Sequence, residues 1–96
     1  MLVLPSELTH AQAEPCLNLL LKAARAEKGE QVLVDAAPLN VFDSSALAVL
    51  LECRRTSLYD GKTFAVRGLA PRLRELAHLY GVSELLPERA SNGEGA

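Results

Sequence analysis

The chain has 96 residues, 49% of them hydrophobic and 23% charged, which predicts one ordinary globular domain rather than two. The net charge of -2 gives no broad attraction to nucleic acid or anionic lipid, so neither is expected as a partner. The longest apolar runs fall far short of the roughly 20 residues that a membrane span needs, and no secretory pattern is visible. The composition therefore predicts a cytoplasmic protein.

The first elements in chain order are a short strand and a helix. Leu2 to Leu4 is a strand candidate, ended by a proline that has no N–H for further pairing. The helix runs to Glu27 with apolar residues at the i, i+3, i+4, i+7 spacing of one face. Its start is open, because Thr9 would serve as a cap and Pro15 would suit a first turn near Glu14. So short a first strand leaves a sheet edge that another chain or a homodimer partner could use.

The central and last elements alternate between strand and helix. Gln31 to Ala36 is nearly continuously apolar, which is typical of a central strand covered on both faces by helices. After a connection, a second helix is predicted from Ser44 to about Leu58, and Lys62 to Arg67 is the next strand. A third helix opens at Pro71, and Tyr80 continues its apolar face into the core before one more short helical turn.

This order of elements predicts the fold class. Repeated strand, helix and strand units form right-handed crossovers, so the fold is α/β, with a small mostly parallel sheet and helices packed against it. Residues 1–87 form the domain. From 88 to 96 no apolar residue is larger than alanine, and a disordered tail is expected there.

Metal and catalytic motifs are not visible in the sequence. Cys16 and Cys53 fall within predicted helices and are expected to be buried, reduced thiols. His10 and His78 lie far apart in sequence without companion ligands, so no metal site is expected. The chain has no nucleophile elbow, phosphate-binding glycine loop or paired-carboxylate pattern. We therefore expect neither an enzyme nor a cofactor.

The start of the second helix carries more polar side chains than a helix cap needs. Asp43 or Ser44 can accept a hydrogen bond from an N–H two or three residues on, and either one suffices as the cap. No Glu or Gln follows at the spacing of a capping box. The next two turns are apolar in nearly all directions, so either neighbouring helices cover them or this half of the helix lies in a protein interface.

Three stretches of the sequence resemble the STAS domain family, which includes bacterial anti-sigma-factor antagonists and the MlaB-type subunits of the Mla phospholipid-transport ABC system. VLVDAAPLNVFDSSALAVLLECRR is similar to the family's strand, loop, Asp-Ser motif and helix. FAVRGLAPRLRELAHLYGVSELLP is similar to its closing strand, helix and turn, and SELTHAQA to its lead into the first helix. The resemblance covers nearly the whole chain. It implies a STAS-like fold in which the first strand of the N-terminal hairpin is short or missing.

The resemblance also implies functional positions. Asp43 matches the family aspartate, Ser44 the hydroxyl residue that antagonists use as phospho-acceptor, and Ser45 the variable position. The family glycine is Ala46 here, which is expected to narrow the access of a kinase to Ser44 and to favour docking over phosphorylation. The predicted contact set is completed by three further residues, Leu47 at its centre with Thr9 and Arg54 at its outskirts.

A family of binding domains implies a binding function. The favoured one is a non-catalytic subunit that binds and regulates the MlaF-like cytoplasmic ATPase of an ABC phospholipid transporter maintaining outer-membrane lipid asymmetry. Such a subunit would lie at the inner membrane only through that complex. The alternative is an anti-sigma-factor antagonist that binds a serine kinase or anti-sigma factor. Phosphorylation of Ser44 would release that partner, because it adds about -1.5 to -2 charge beside Asp43.

Overall fold

A computed structural model of the chain describes residues 1–89. Its helices are α1 (His10–Ala26), α2 (Ser45–Tyr59) and α3 (Pro71–Leu79), and a 3-10 turn follows at Ser83–Leu85. Its strands are β1 (Leu2–Val3), β2 (Glu7–Leu8), β3 (Gln31–Asp35), β4 (Val41–Phe42) and β5 (Thr63–Arg67). The predicted α/β order of helices and longer strands is confirmed.

The strands form a mostly parallel arrangement, as predicted. Three of them make a sheet in the order β1-β3-β5, and β2 pairs separately with β4. β3 and β5 pair along five residues, whereas β1 pairs with β3 only at Leu2 and Val3. The sequence predicts no strand at β2 or β4, because two residues are too few to show the alternation of a strand.

Helices cover β3 on one face in the described part of the chain. Val32 and Val34 are fully buried, while Gln31, Leu33 and Asp35 are half-buried. The buried apolar residues of α1, α2 and α3 belong to the same core cluster as the two valines, so the helices lie on the valine side of the sheet. The prediction of a strand covered by helices on both faces is therefore wrong. The run is continuous in sequence because Leu33, between the two valines, is also apolar, but this side chain is only half-buried.

α1 begins at the earlier of its two predicted starts. Thr9 is the N-cap, and its N–H and its hydroxyl both donate to Gln12 Oε1, at 2.8 and 2.7 Å. This Thr-x-x-Gln pair closes the first turn of the helix. Pro15 lies inside α1 rather than at its start.

α2 and α3 each end two residues before a glycine, Gly61 and Gly81, and the end of α3 corrects a prediction. At Gly81, which has φ +73°, the N–H of Val82 donates to the Ala77 carbonyl at 2.9 Å. The chain therefore reverses at this glycine, and Val82 packs against the core. Tyr80, predicted to continue the core face, is 57% exposed, and it lies just after α3, which ends at Leu79.

Residues 88 and 89 belong to the sheet rather than to a tail. The Val66 N–H donates to the Pro87 carbonyl and the Arg89 N–H donates to the Val66 carbonyl, both at 2.8 Å. Arg74 donates to the two carboxylate oxygens of Glu88 at 2.7 and 2.8 Å. The tail predicted from residue 88 is therefore wrong for these two residues, since composition shows neither backbone pairing nor an ion pair. The rest of the predicted tail, 90–96, lies outside the described residues.

The cysteines are buried and free, as predicted. Burial raises the pKa of Cys16, and it raises the pKa of Cys53 to about 11. Within residues 1–89, no group of three or more potential ligand side chains is placed to hold a metal ion. Over the same residues, no helix combines the length and the apolar character that crossing a membrane requires.

Candidate partner-binding site

The polar start of α2 lies against the start of α1. Asp43 Oδ1 accepts the N–H of Ser45 at 2.8 Å, and Asp43 Oδ2 accepts the N–H of His10 at 3.1 Å. One carboxylate thus satisfies a free N–H in the first turn of each helix, where the backbone carries partial positive charge. We call the surface formed by Thr9, His10, Asp43, Ser44 and Ser45 the Asp43 corner.

The same hydrogen bonds keep Asp43 ionised. The backbone N–H of Ser45, and then that of His10, hold the pKa of Asp43 below its ordinary value of 3.8. Each carboxylate oxygen has a second lone pair, so both can accept a further donor from a partner. The corner therefore presents a fixed negative charge at neutral pH.

Ser44 is exposed, and its side chain takes no part in capping. Its backbone carbonyl accepts the N–H of Leu47 at 3.1 Å and so begins the helix, but its hydroxyl forms no cap hydrogen bond. The cap is supplied by Asp43, the first of the two predicted alternatives. Ser45 follows as the first helical residue and is half-buried. The hydroxyl of Ser44 is left for a partner or a phosphate.

Ala46 and Leu47 lie beneath the corner rather than on it. Ala46 is 0% exposed and Leu47 is 3% exposed, and both belong to the core cluster. Leu47 was predicted at the centre of the contact surface; that prediction is wrong, because the side chain faces the core. The expectation that Ala46 narrows access to Ser44 is wrong for the same reason, since its methyl group is turned inward. Neither residue limits the approach to Ser44.

The structure brings one of the two outlying residues to the corner. Thr9 directly precedes His10, and its hydroxyl is engaged with Gln12. Arg54 lies nine residues beyond Ser45 on α2, which is roughly 14 Å along the axis at 1.5 Å per residue. Arg54 therefore lies outside the Asp43 corner.

The corner continues onto the start of α3. The guanidinium carbon of Arg72 lies 5.8 Å from the ring centroid of Phe42, the residue before Asp43. Before α3, Gly68 lies against Ala37, and a Cβ at its φ of +69° would lie 2.8 Å from the Cβ of Ala37. The connection leading to α3 thus packs closely on the connection that follows β3.

Sequence reasoning missed three residues of this region. Gln12 could have been found, since Thr9 and Gln12 match the capping-box spacing. His10 enters through its backbone N–H, which no residue type signals, and Asp43 lies 33 positions away from it. Arg72 meets Phe42 only through the fold.

The chemistry of the corner suits recognition. It offers an exposed hydroxyl and an ionised carboxylate at the start of a helix, where a partner can reach both groups. A hydroxyl at a helix N-terminus is also a favourable place for a phosphate group.

Comparisons with known proteins agree with this description. The family model described as "Mlab, STAS domain" matches residues 1–87. An anti-sigma-factor antagonist (STAS) domain protein from Planctomyces limnophilus has a similar solved structure, with a TM-score of 0.79 and 21% identity. That match covers 97% of this chain and 83% of the other. No match was found among curated proteins. STAS domains are generally regulatory or interaction domains, and this chain belongs to the STAS family, in its MlaB-type branch.

Proposed function

We propose that the chain is a non-catalytic STAS subunit that binds and regulates the cytoplasmic ATPase of an ABC phospholipid transporter maintaining outer-membrane lipid asymmetry. The observation that carries the proposal is the exposed Ser44 hydroxyl, which the fold does not use, beside the ionised carboxylate of Asp43. The MlaB-type family match supports the choice of partner. The subunit acts in the cytoplasm and meets the inner membrane through the transporter.

The hydrogen bonds of Asp43 support a regulatory role. Asp43 fixes the first turns of α1 and α2 relative to each other, so little ordering is needed when a partner binds. A subunit of this kind regulates an ATPase by binding one of its conformations more tightly than another. Binding at the corner is sufficient for that effect, and it requires no chemistry from this chain.

A second function is favoured by the same hydroxyl. Phosphate on Ser44 would lie at the N-terminus of α2, where the backbone N–H groups favour it, and would add charge beside Asp43. Since Ala46 does not obstruct Ser44, the geometry is compatible with an anti-sigma-factor antagonist released from its partner by phosphorylation. The solved structure from Planctomyces limnophilus is described as an anti-sigma-factor antagonist (STAS) domain protein.

The decisive experiment measures binding to the purified ATPase of the Mla-type transporter from the same organism. By calorimetry, we expect wild type to bind and Ser44→Asp to bind about tenfold or more weakly, because the variant loses the hydroxyl donor and places a larger group in the contact. Thr63→Asp is the matched control: it adds the same charge at an exposed position at the start of β5, and should leave affinity within about twofold.

Two results would count against the proposal. Wild type that does not bind the ATPase removes the proposed partner, and a Ser44→Asp affinity equal to that of wild type removes the corner from the contact. If the protein instead binds a purified serine kinase or anti-sigma factor, and loses that binding on phosphorylation of Ser44, the second function replaces the first.

A further inference from the structure

We propose that the trough between the first halves of α1 and α2 receives an apolar side chain from the partner ATPase, on a segment that also carries a lysine or arginine. This inference rests on the proposed function and names the recognition chemistry next to the Asp43 corner. The trough, which we call the α1–α2 groove, has a volume of about 590 Å³. Ala13, Leu17, Ala48 and Val49 line it, with His10 and Glu14 at its rim.

Small side chains keep the groove open. Ala13 is half-buried and Ala48 is exposed, so one alanine from each helix leaves room above the buried Val49. Asp43 hydrogen-bonds to the first turns of both helices, which limits the movement of one helix toward the other that would close the groove. An apolar trough bordered by polar groups is the arrangement found at protein interfaces.

The groove is continuous with the corner that contains Ser44. His10 lines the groove and also donates its backbone N–H to Asp43. Ala48 lies four residues after Ser44, so the two positions occupy the same face of the helix start. A partner surface that reaches the Ser44 hydroxyl therefore also covers the groove.

The charges around the groove select its occupant. From His10 to Leu17 on α1, and from Asp43 to Leu51 at the start of α2, the formal charges at neutral pH are those of Glu14 and Asp43. Both are negative, and Glu14 is exposed. A basic residue beside an apolar anchor complements this border, whereas an acidic segment would be repelled.

A second copy of this chain is a poorer occupant. In a two-fold dimer across the groove, the same patch would face itself, and this would bring the acidic Glu14 and Asp43 of both copies together. The partner argued for here carries the opposite charge.

The test fills the groove and reverses its rim charge in separate variants. Ala48→Leu occupies the space from an exposed position, and we expect it to bind the purified ATPase about tenfold more weakly with little dependence on salt. Ala48→Gln fills the same space with a polar side chain and should weaken binding in the same way. Ala23→Leu, an exposed alanine further along α1, is the matched control and should bind like wild type.

The charge variant probes the basic residue. Glu14→Lys should weaken binding about fivefold at low salt, and the difference from wild type should shrink as salt rises. Glu75→Lys makes the same reversal on the exposed surface of α3 and should change affinity less than about twofold. Circular dichroism and thermal unfolding confirm that each variant is folded.

The outcomes separate this inference from the proposed function. If Ser44→Asp disrupts binding while both Ala48 variants and Glu14→Lys bind like wild type, the groove proposal is overturned and the corner remains. Wild type that does not bind the ATPase overturns both. Wild type that is a dimer by light scattering, and becomes a monomer with Ala48→Gln, would assign the groove to a second copy and overturn the proposed occupant.

Discussion

At each end of the α1 and α2 pair, one charged side chain from outside the two helices hydrogen-bonds to helix backbone groups. At the first turns, the Asp43 carboxylate accepts the N–H groups of His10 and Ser45. At the far end of α1, Lys62 Nζ donates to the last carbonyls, including that of Ala24 at 2.8 Å. An anion at helix N-termini and a cation at a C-terminus both complement the partial charges of the backbone.

The ends differ in how they use their remaining polar side chains. Near the C-terminal end of α2, the Ser57 hydroxyl is buried and donates to the Cys53 carbonyl at 2.8 Å. At the other end, the Ser44 hydroxyl is exposed and forms no cap hydrogen bond. Hydrogen bonding to helix backbone groups thus explains the positions of both charged residues and of Ser57, but it does not explain the hydroxyl of Ser44. This difference is our reason for placing the candidate site at the Ser44 end of the helices.

The largest effect should come from Leu47, which supports the corner from the core. Leu47→Ala should lower the free energy of unfolding by about 2–5 kcal/mol, because a 3% exposed side chain leaves a cavity. Ser44→Ala should change it by less than about 0.5 kcal/mol, since its side chain does not stabilise the fold. Urea unfolding measures both. If both substitutions lowered the free energy of unfolding equally, Leu47 and Ser44 could not be separated into a core residue and a partner-facing residue.

Lys62 tests the opposite end. Lys62→Met keeps the aliphatic stem but removes the charge, and should lower the free energy of unfolding by about 1–2 kcal/mol through loss of the hydrogen bonds to α1 carbonyls. It should leave the affinity for the ATPase unchanged. Lys28→Met, at an exposed lysine, is the control and should scarcely alter stability. If Lys62→Met weakened ATPase binding, the partner would contact the C-terminal end of α1, which would contradict a contact at the Asp43 corner.

Much of the fold could be predicted because long elements carry their own signals. The pattern of apolar residues located the three helices and the two longer strands. The two-residue strands β2 and β4 carry no such periodicity. Pairing of Glu88 with Val66 depends on where the sheet edge lies, which composition does not reveal.

The candidate site could be predicted only in part. Capping chemistry and the family resemblance identified Asp43 and Ser44, because both depend on residue type at a helix start. Leu47 was misplaced because the first turns of α2 are apolar in nearly all directions, and a helical wheel does not show which side α1 covers. The contact of His10 with Asp43 is made by its backbone and exists only after folding.

Ala46 offers a smaller and more selective test at the first turn of α2. Ala46→Gly, which restores the family glycine, should lower the free energy of unfolding by about 1–2 kcal/mol, since it weakens the helix and removes a buried methyl group. Ala48→Gly is the matched control at an exposed position and should cost about 0.5–1 kcal/mol. Chemical denaturation compares the two. A smaller loss at Ala46 than at Ala48 would show that the methyl group does not stabilise the core.

The smallest effect should be the pH dependence contributed by Asp43, whose carboxylate is exposed. Its pKa is lowered in the folded protein by the Ser45 and His10 N–H groups, so the ionised form binds the helix starts better than the protonated form. The stabilisation is complete above the unfolded value of 3.8 and is lost as pH falls through the lower folded pKa. Asp43→Asn removes this titration and keeps one side-chain oxygen as acceptor.

The free energy of unfolding of wild type and Asp43→Asn should therefore differ most at neutral pH, and the difference should shrink toward about pH 2. Ser44→Ala, which changes no titrating group, should show a constant offset from wild type over the same range. If the Asp43→Asn difference is equally constant, the charge of Asp43 does not stabilise the helix starts and its hydrogen-bond geometry alone does. The Asp43 end would then resemble the Lys62 end in the position of its side chain, but not in the electrostatic stabilisation of the helix ends.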